Sequence, residues 1–349
     1  MYIDCDTHFF PKECLREVAR LADSPKISAQ DGMEVARIND RVVTAYRDDG
    51  YRNPETRIQA LKKSRFDRQV LIGDNRFLPD YISPQTSVAL AAAYNDSVAG
   101  ISRKYESLVG VAQVSTLDGT AATRELLRAV RDLGLRAVRL LPNLGGRNLD
   151  APEWLPFYAM AEKLGVAILV HANAFEAPGV VTRNLVSPER LATHQLPAAL
   201  GFPMEYSLAV ASLIFSAILE KHPTLRFAFF EAGAGFTPYL MDRLDEHYEH
   251  LHEDRHLRTG IHQHDYIPRI SMKPSRFFRQ LYFATEPDEE ELPHAIERCG
   301  DTRLVIGSDF PHPEGTLPHT IPQLKKRDDV SNTSKERIMG ANAEKLLFR

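Results

Sequence analysis

The chain has 349 residues, is 43% apolar and 26% charged, and carries a formal net charge of −4. That is an ordinary globular composition, long enough for one large α/β barrel, and it offers no basic surface for nucleic acid or an anionic membrane. Cys5, Cys14 and Cys299 fit neither a metal-finger nor a disulfide spacing, no basic-then-apolar leader opens the chain, and no apolar run approaches the roughly 20 residues of a bilayer span. The expectation is a reduced, cytoplasmic protein that acts on small molecules, without nucleic acid or membrane partners.

The first predicted strand, YIDCDTH (2–8), ends on Asp6 and His8. Residues two apart in a strand share a side, so the pair can grip one ion together; an Asp that caps the next turn beside a surface His is the plainer alternative. Residues 24–52 alternate around Asn39-Asp40, which predicts a hairpin inserted after this strand. Asn53 and Pro54 open a helix as N-cap and first helical residue. Seven further apolar runs follow: 68–74, 108–115, 135–143, 166–172, 225–232, 280–286 and 303–310. Stretches with a 3.6-residue rhythm separate them, two stopping at a C-cap glycine. Residues 173–203 read as a long loop of little periodicity, and loops of that length are uncommon unless they are lids or binding surfaces.

Near-continuous apolar strands alternating with helices predict a parallel sheet covered on both faces, and eight such units predict a closed (β/α)8 TIM barrel forming a single domain over 1–349. A doubly wound sheet is the alternative, but no Gly-rich turn follows the first strand. In such barrels the chemistry collects at the C-terminal strand ends. Here those ends carry Asp6 and His8, His171, Glu231, Glu286, and Asp309 with His312 just beyond. Imidazole and carboxylate together suit Zn²⁺, Mn²⁺ or Fe²⁺, and the lack of thiolates disfavours a structural zinc site. Arg139, the cation inside the fourth strand, either holds a substrate carboxylate or neutralises the carboxylate ring. A turn cap for Asp309 and a core histidine for His171 are the plainer alternatives to a ligand role, whereas Glu231, closing an apolar strand, needs a partner. The histidines at 247, 250, 252, 256, 262 and 264 follow a charged helix and its exit loop and are assigned to the surface.

The blocks DTH, LVHANA, HPTLRFAFFEAGAGF, GSDFPHPEG and ERIMGANAEKLL, in that order, resemble the amidohydrolase-related family, which includes metal-dependent decarboxylases. The resemblance spans almost the whole chain and implies a metal-bearing barrel with Asp6, His8, His171 and Asp309 as ligands. Two positions depart from the family pattern: Asp6 stands where many relatives have histidine, and Glu231 stands where decarboxylases have a sixth-strand histidine. The fourth strand also lacks the lysine that bridges two metals in other branches. Exchanging imidazoles for carboxylates hardens the site toward Mn²⁺ or Fe²⁺, and Glu231 is able to bridge a second ion. The implied activity is a hydrolase or decarboxylase on a small carboxylated or amide-like substrate, with Asp309 as first choice of base, Glu231 and His312 assisting, and Arg139 and Glu286 contacting substrate. Two rivals stand beside it: a two-metal, O2-dependent oxygenase such as an amine N-hydroxylase, and a non-catalytic, metal-stabilised subunit. Family resemblance also implies a homo- or hetero-oligomer.

Overall fold

A computed structural model describes residues 1–12, 14, 20, 26–30, 33–38, 41–46, 49–73, 82–172, 185–191, 194, 196–253 and 268–348. The first strand, β1 (Ile3–Phe9), is followed by three inserted strands, β2 (Lys26–Gln30), β3 (Met33–Ile38) and β4 (Arg41–Tyr46). The chain continues through β5 (Arg68–Gly73), β6 (Leu108–Gly110), β7 (Ala112–Gln113) and β8 (Ala137–Leu140). It ends with β9 (Ala167–Val170), β10 (Phe227–Phe229), β11 (Leu281–Thr285) and β12 (Leu304–Ile306). β1-β5-β6 and β7-β8-β9-β10-β11-β12 are parallel sheets. β6 and β7 are one strand broken at Val111, so every one of the eight predicted runs supplies a strand. Between β12 and β1 the ring is joined by two backbone hydrogen bonds, His8 N to Phe310 O at 2.8 Å and Asp309 N to Asp6 O at 2.9 Å, in place of a regular ladder. The α/β barrel expectation holds.

The sequence dictates the helices in the same local way. Asn53 accepts a hydrogen bond from Glu55 N at 3.0 Å and Pro54 begins the helix Pro54–Lys63, as predicted. Ser83 and Asp118 cap Pro84–Lys104 and Gly119–Arg131 in the same manner. Gly165 ends Leu155–Leu164 at φ 67°, a left-handed conformation that a Cβ would strain. Two apolar clusters result. One takes alternate residues of the strands (Ile3, Cys5, Val70, Ile72, Val109, Leu169, Ala228, Val305) and is the barrel interior; the larger takes the opposite faces together with the helices.

Three expectations are corrected. The insertion is a three-stranded antiparallel sheet, order β2-β3-β4, and not a two-stranded hairpin. β3 and β4 pair up to Ile38 and Arg41, on either side of the expected turn, but β2, KISAQ, has too few apolar residues to announce itself. The stretch 173–203 is not loop throughout. Residues 173–184, 192–193 and 195 lie outside the described residues, whereas Pro188–Leu191 and Pro197–Gly201 are helical and the latter runs into the helix Phe202–Phe215. That continuous Pro197–Phe215 stretch, 19 residues of mean hydropathy 1.5, is long and apolar enough to cross a membrane by length and composition, with half of its apolar window buried in the fold. Glu205, Ser207 and Ser212 break the run in the sequence, which is why it reads there as an ordinary helix. His247 and His250 are exposed on Phe236–Glu253, as assigned; positions 256, 262 and 264 lie outside the described residues.

Candidate metal centre

β1 carries a register shift: Asp4 pairs with Gln69, but Thr7, three residues on, pairs with Leu71, two residues on. Such a bulge reverses the parity of the strand. Before it, Ile3 and Cys5 face the barrel interior; after it, Phe9 packs among the helices and His8 turns inward. The bulge brings Asp6 and His8 to the mouth together. Asp6 lies against Gly307, where a Cβ would fall 2.2 Å from the Asp6 Cβ, so the close approach of the β12 end to β1 requires glycine.

The other donors arrive on the neighbouring strand ends. His171 follows β9, and Glu231 and Asp309 sit in left-handed turns beyond β10 and β12, at φ 62° and 56°. Their side chains meet those of β1. His171 Nε2 lies 3.4 Å from Asp6 Oδ1 and 3.5 Å from Glu231 Oε2. His8 Nε2 lies 3.0 Å from Asp309 Oδ1 and 3.6 Å from Glu231 Oε1. His312 stacks on His8 with ring centroids 4.3 Å apart, its Nδ1 being 3.6 Å from Glu231 Oε1. Two overlapping donor groups emerge, Asp6-His8-His171 and His8-Glu231-Asp309-His312, each with ligand atoms within 4.8 Å of one another.

Two of the imidazoles have their tautomer set from behind. His171 Nδ1 lies 2.8 Å from Ala172 O, which can only accept, so the proton is on Nδ1 and the Nε2 lone pair faces the centre. His312 Nδ1 does the same toward Asp309 Oδ2 at 3.0 Å. Burial raises the cost of ionising Asp309, yet the hydrogen bond from His312 and the close approach and charge of His8 and His312 outweigh it and hold this carboxyl well below the usual range. Glu231 goes the opposite way: burial, then the charges of Asp309 and Asp6, push it up to about 8 against the pull of His171 and His312. About a fifth of each side chain faces the mouth, 22% and 18%. The same burial thus leaves two neighbouring carboxyls with acidities driven apart by the charges each one meets.

Five buried atoms, Asp6 Oδ1, His8 Nε2, His171 Nε2, Asp309 Oδ1 and His312 Nε2, have no hydrogen-bond partner among the described residues. Buried polar atoms left unpaired cost about 1–3 kcal/mol each, so a cluster of five pointing at one region is the signature of a cation site. These residues fit a divalent ion.

Glu286 and Arg139 stand apart from this cluster. Glu286 follows β11 and is solvent-exposed, its carboxyl pushed up by burial of part of the group and by Asp288 and Glu289. Arg139 is 4% exposed, and its Nη2 donates to His171 O at 2.9 Å and to Ala172 O at 3.5 Å, which supports the strand end that carries His171. Sequence reasoning missed the residues that hold the donors. Asp4, fully buried, accepts from Ser308 N at 2.8 Å, Ser308 Oγ at 2.6 Å and Gln69 Nε2 at 3.2 Å, tying β1 to the Asp309 turn. Burial pushes its carboxyl up to about 7, with the Ser308 bonds opposing. Tyr206 accepts from Ala172 N at 2.8 Å. Arg57, fully buried, donates to His8 O, to Gly50 O at 2.8 Å and to Thr7 Oγ1 at 2.8 Å. The hint of Asp4 in the sequence was a second acidic residue two before Asp6, and nothing local announced Arg57.

The amidohydrolase family model matches residues 3–349. The chain belongs to the amidohydrolase family. It is 27% identical over 297 residues to 2-amino-3-carboxymuconate-6-semialdehyde decarboxylase of Dictyostelium discoideum, covering 84% of this chain and 76% of that protein. It is 28% identical over 240 residues to gamma-resorcylate decarboxylase of Rhizobium radiobacter, covering 64% of this chain and 66% of that one. Among solved structures, 5-carboxyvanillate decarboxylase from Sphingomonas paucimobilis superposes with a TM-score of 0.75 at 17% identity, over 99% of this chain and 98% of that one. The enzyme of the same name from Novosphingobium aromaticivorans, solved with manganese and 4-hydroxy-3-methoxy-5-nitrobenzoic acid, gives 0.76 at 18% identity, over 99% and 96%.

Proposed function

We propose that the chain is a metal-dependent, non-oxidative decarboxylase of a small carboxylated substrate with an unsaturated or aromatic framework. The observation that carries this is the convergence of five buried, unpaired donor atoms at the barrel mouth, in a chain whose curated relatives are decarboxylases. Asp6, His8, His171 and Asp309 would hold the ion. A divalent cation there supplies Lewis acidity and a fixed anchor for substrate oxygen atoms.

The remaining work falls to the chain's own groups. Decarboxylation breaks the C–C bond to the carboxylate, releases CO2 and leaves an electron pair on carbon that must take up a proton. Glu231 would sit at the edge of the ion's donor set, between His8 and His171, and is the carboxyl there that burial makes readiest to carry that proton, which it recovers from water at the mouth. Asp309, held ionised, accepts the hydrogen bond of His312 and keeps that ring oriented. Arg139 and Tyr206 secure the backbone at 171–172, so that His171 does not swing during turnover. Hydrolysis with Asp309 as base uses the same groups, but the relatives favour carbon–carbon cleavage.

One observation favours a second reading. The two donor groups share His8, and the Glu231 oxygens reach toward His171 on one side and His8 and His312 on the other, so the site has donors for two ions and for O2 chemistry. The deciding experiment loads the metal-stripped protein with Mn²⁺, Zn²⁺ or Fe²⁺, counts ions per chain, and follows CO2 release from a panel of aromatic and unsaturated carboxylates without O2. One ion per chain with anaerobic CO2 release and a loss of at least about 100-fold in Glu231→Gln supports decarboxylation. Turnover that requires O2 and two ions refutes it in favour of the oxygenase.

A further inference from the structure

Beyond Glu231 the chain runs through Ala232, Gly233, Ala234 and Gly235 into the helix Phe236–Glu253. Glu231 and Gly233 both have positive φ, 62° and 66°. A non-glycine residue in this conformation costs on the order of 1–2 kcal/mol and persists only where its surroundings hold it. The holder is Glu289, in the turn after β11. Its Oε1 accepts from Ala234 N at 2.7 Å and from Gly235 N at 2.6 Å, while Oε2 accepts from Thr285 Oγ1 at 2.6 Å. The Glu289 carbonyl is anchored in turn by Arg327 Nη1 at 2.6 Å, and Arg327 is paired with Asp329 at 2.7 Å. The fit leaves no slack: a Cβ on Gly233 would lie 2.6 Å from Glu289 Oε1, and one on Gly235 would lie 2.7 Å from Glu291 Cβ.

We propose that Glu289 is a positioning residue for the metal centre: by binding two amides of the turn after β10 it fixes the left-handed Glu231 backbone and aims the Glu231 carboxyl between His8 and His171. This rests on reading the centre as a metal site. A residue that merely caps the helix would change stability without a specific effect on the ion, since a carboxylate at a helix amino end is favourable wherever the helix leads.

The test is calorimetric titration of Mn²⁺ into metal-stripped protein, with thermal melting alongside. Glu289→Ala is expected to weaken Mn²⁺ binding about 10–100-fold, the usual scale for groups that orient a ligand. Glu289→Gln keeps an oxygen for both amides and is expected to stay within about threefold of wild type, and Gly233→Ala, which displaces the carboxylate by contact, is expected to weaken binding like the alanine variant. In a Glu231→Ala background, Glu289→Ala is expected to add less than about threefold, because the residue it acts through is gone. Equal losses in both backgrounds, or wild-type affinity in Glu289→Ala, would overturn the proposal. If Glu289→Ala does not fold, Thr285→Val, which removes only the Oε2 partner, serves in its place with a partial loss expected and no loss refuting. Wild-type protein that binds no Mn²⁺ at all would strike at the metal reading itself, and is seen before any variant is made.

Discussion

Arg57 offers the clearest test of how the barrel mouth is held. Replacing it with methionine keeps the stem but removes the guanidinium, which is fully buried between Phe9 and Phe310 at 5.1 and 5.2 Å from their ring centroids. The change strips donors from Gly50 O, Thr7 Oγ1 and His8 O, and the longer contact to Phe310 O at 3.4 Å. Thr7 keeps its own bond to Val70 O at 2.6 Å, so the main cost is the loss of the charged hydrogen bonds to the Gly50 and His8 carbonyls, about 1.5–3 kcal/mol each. Two cation–π contacts add roughly 1 kcal/mol each, and relief from desolvating the guanidinium offsets part of the total. The net loss is about 3–5 kcal/mol, a large share of the roughly 5–15 kcal/mol that stabilises a folded domain. The assay is urea unfolding followed by circular dichroism. A midpoint shift worth less than about 1 kcal/mol, at unchanged slope, would refute the idea that Arg57 clamps the β1 end to the β12 end.

Asp309→Asn keeps the shape of the turn but removes an anion from the donor cluster; bound Mn²⁺ after dialysis should fall to a tenth of wild type or less, on the order of 1.4 kcal/mol or more, as read by atomic absorption. Gly307→Ala should both destabilise the protein and release metal, because its Cβ would land 2.2 Å from Asp6 Cβ; a variant that retains metal would show that β12 can withdraw from β1. Glu205, buried with Asn143 Nδ2 at 2.8 Å, has its carboxyl raised by desolvation. A raised folded value means the native state holds the proton longer than the unfolded chain. Its contribution is therefore most favourable in acid and is lost as pH climbs through the folded value. Glu205→Gln should melt higher relative to wild type at pH 8 than at pH 5, and parallel melting profiles would contradict this.

The eight apolar runs, the capping residues at Asn53 and Gly165, and the His or carboxylate at five of the eight strand ends are local patterns, so the barrel and its candidate donors were legible before any coordinates. The inserted third strand was not, because KISAQ acquires its partner only by pairing with β3. The helical rhythm from Tyr206 onward was legible, but its extension back through Pro197–Gly201 was not.

What the amino-acid order alone determined is the ring of strands and which His and carboxylate side chains end them, since both follow from periodicity and from which residue closes each run. Only the tertiary structure decided which way those side chains point. Strands covered on both faces have no polar alternation from which inward and outward could be read, so the bulge between Asp4 and Thr7 that turns Asp6 and His8 to the mouth is set by the register against β5. The opposed acidities of Glu231 and Asp309 likewise arise from which charges and imidazoles each one meets in space.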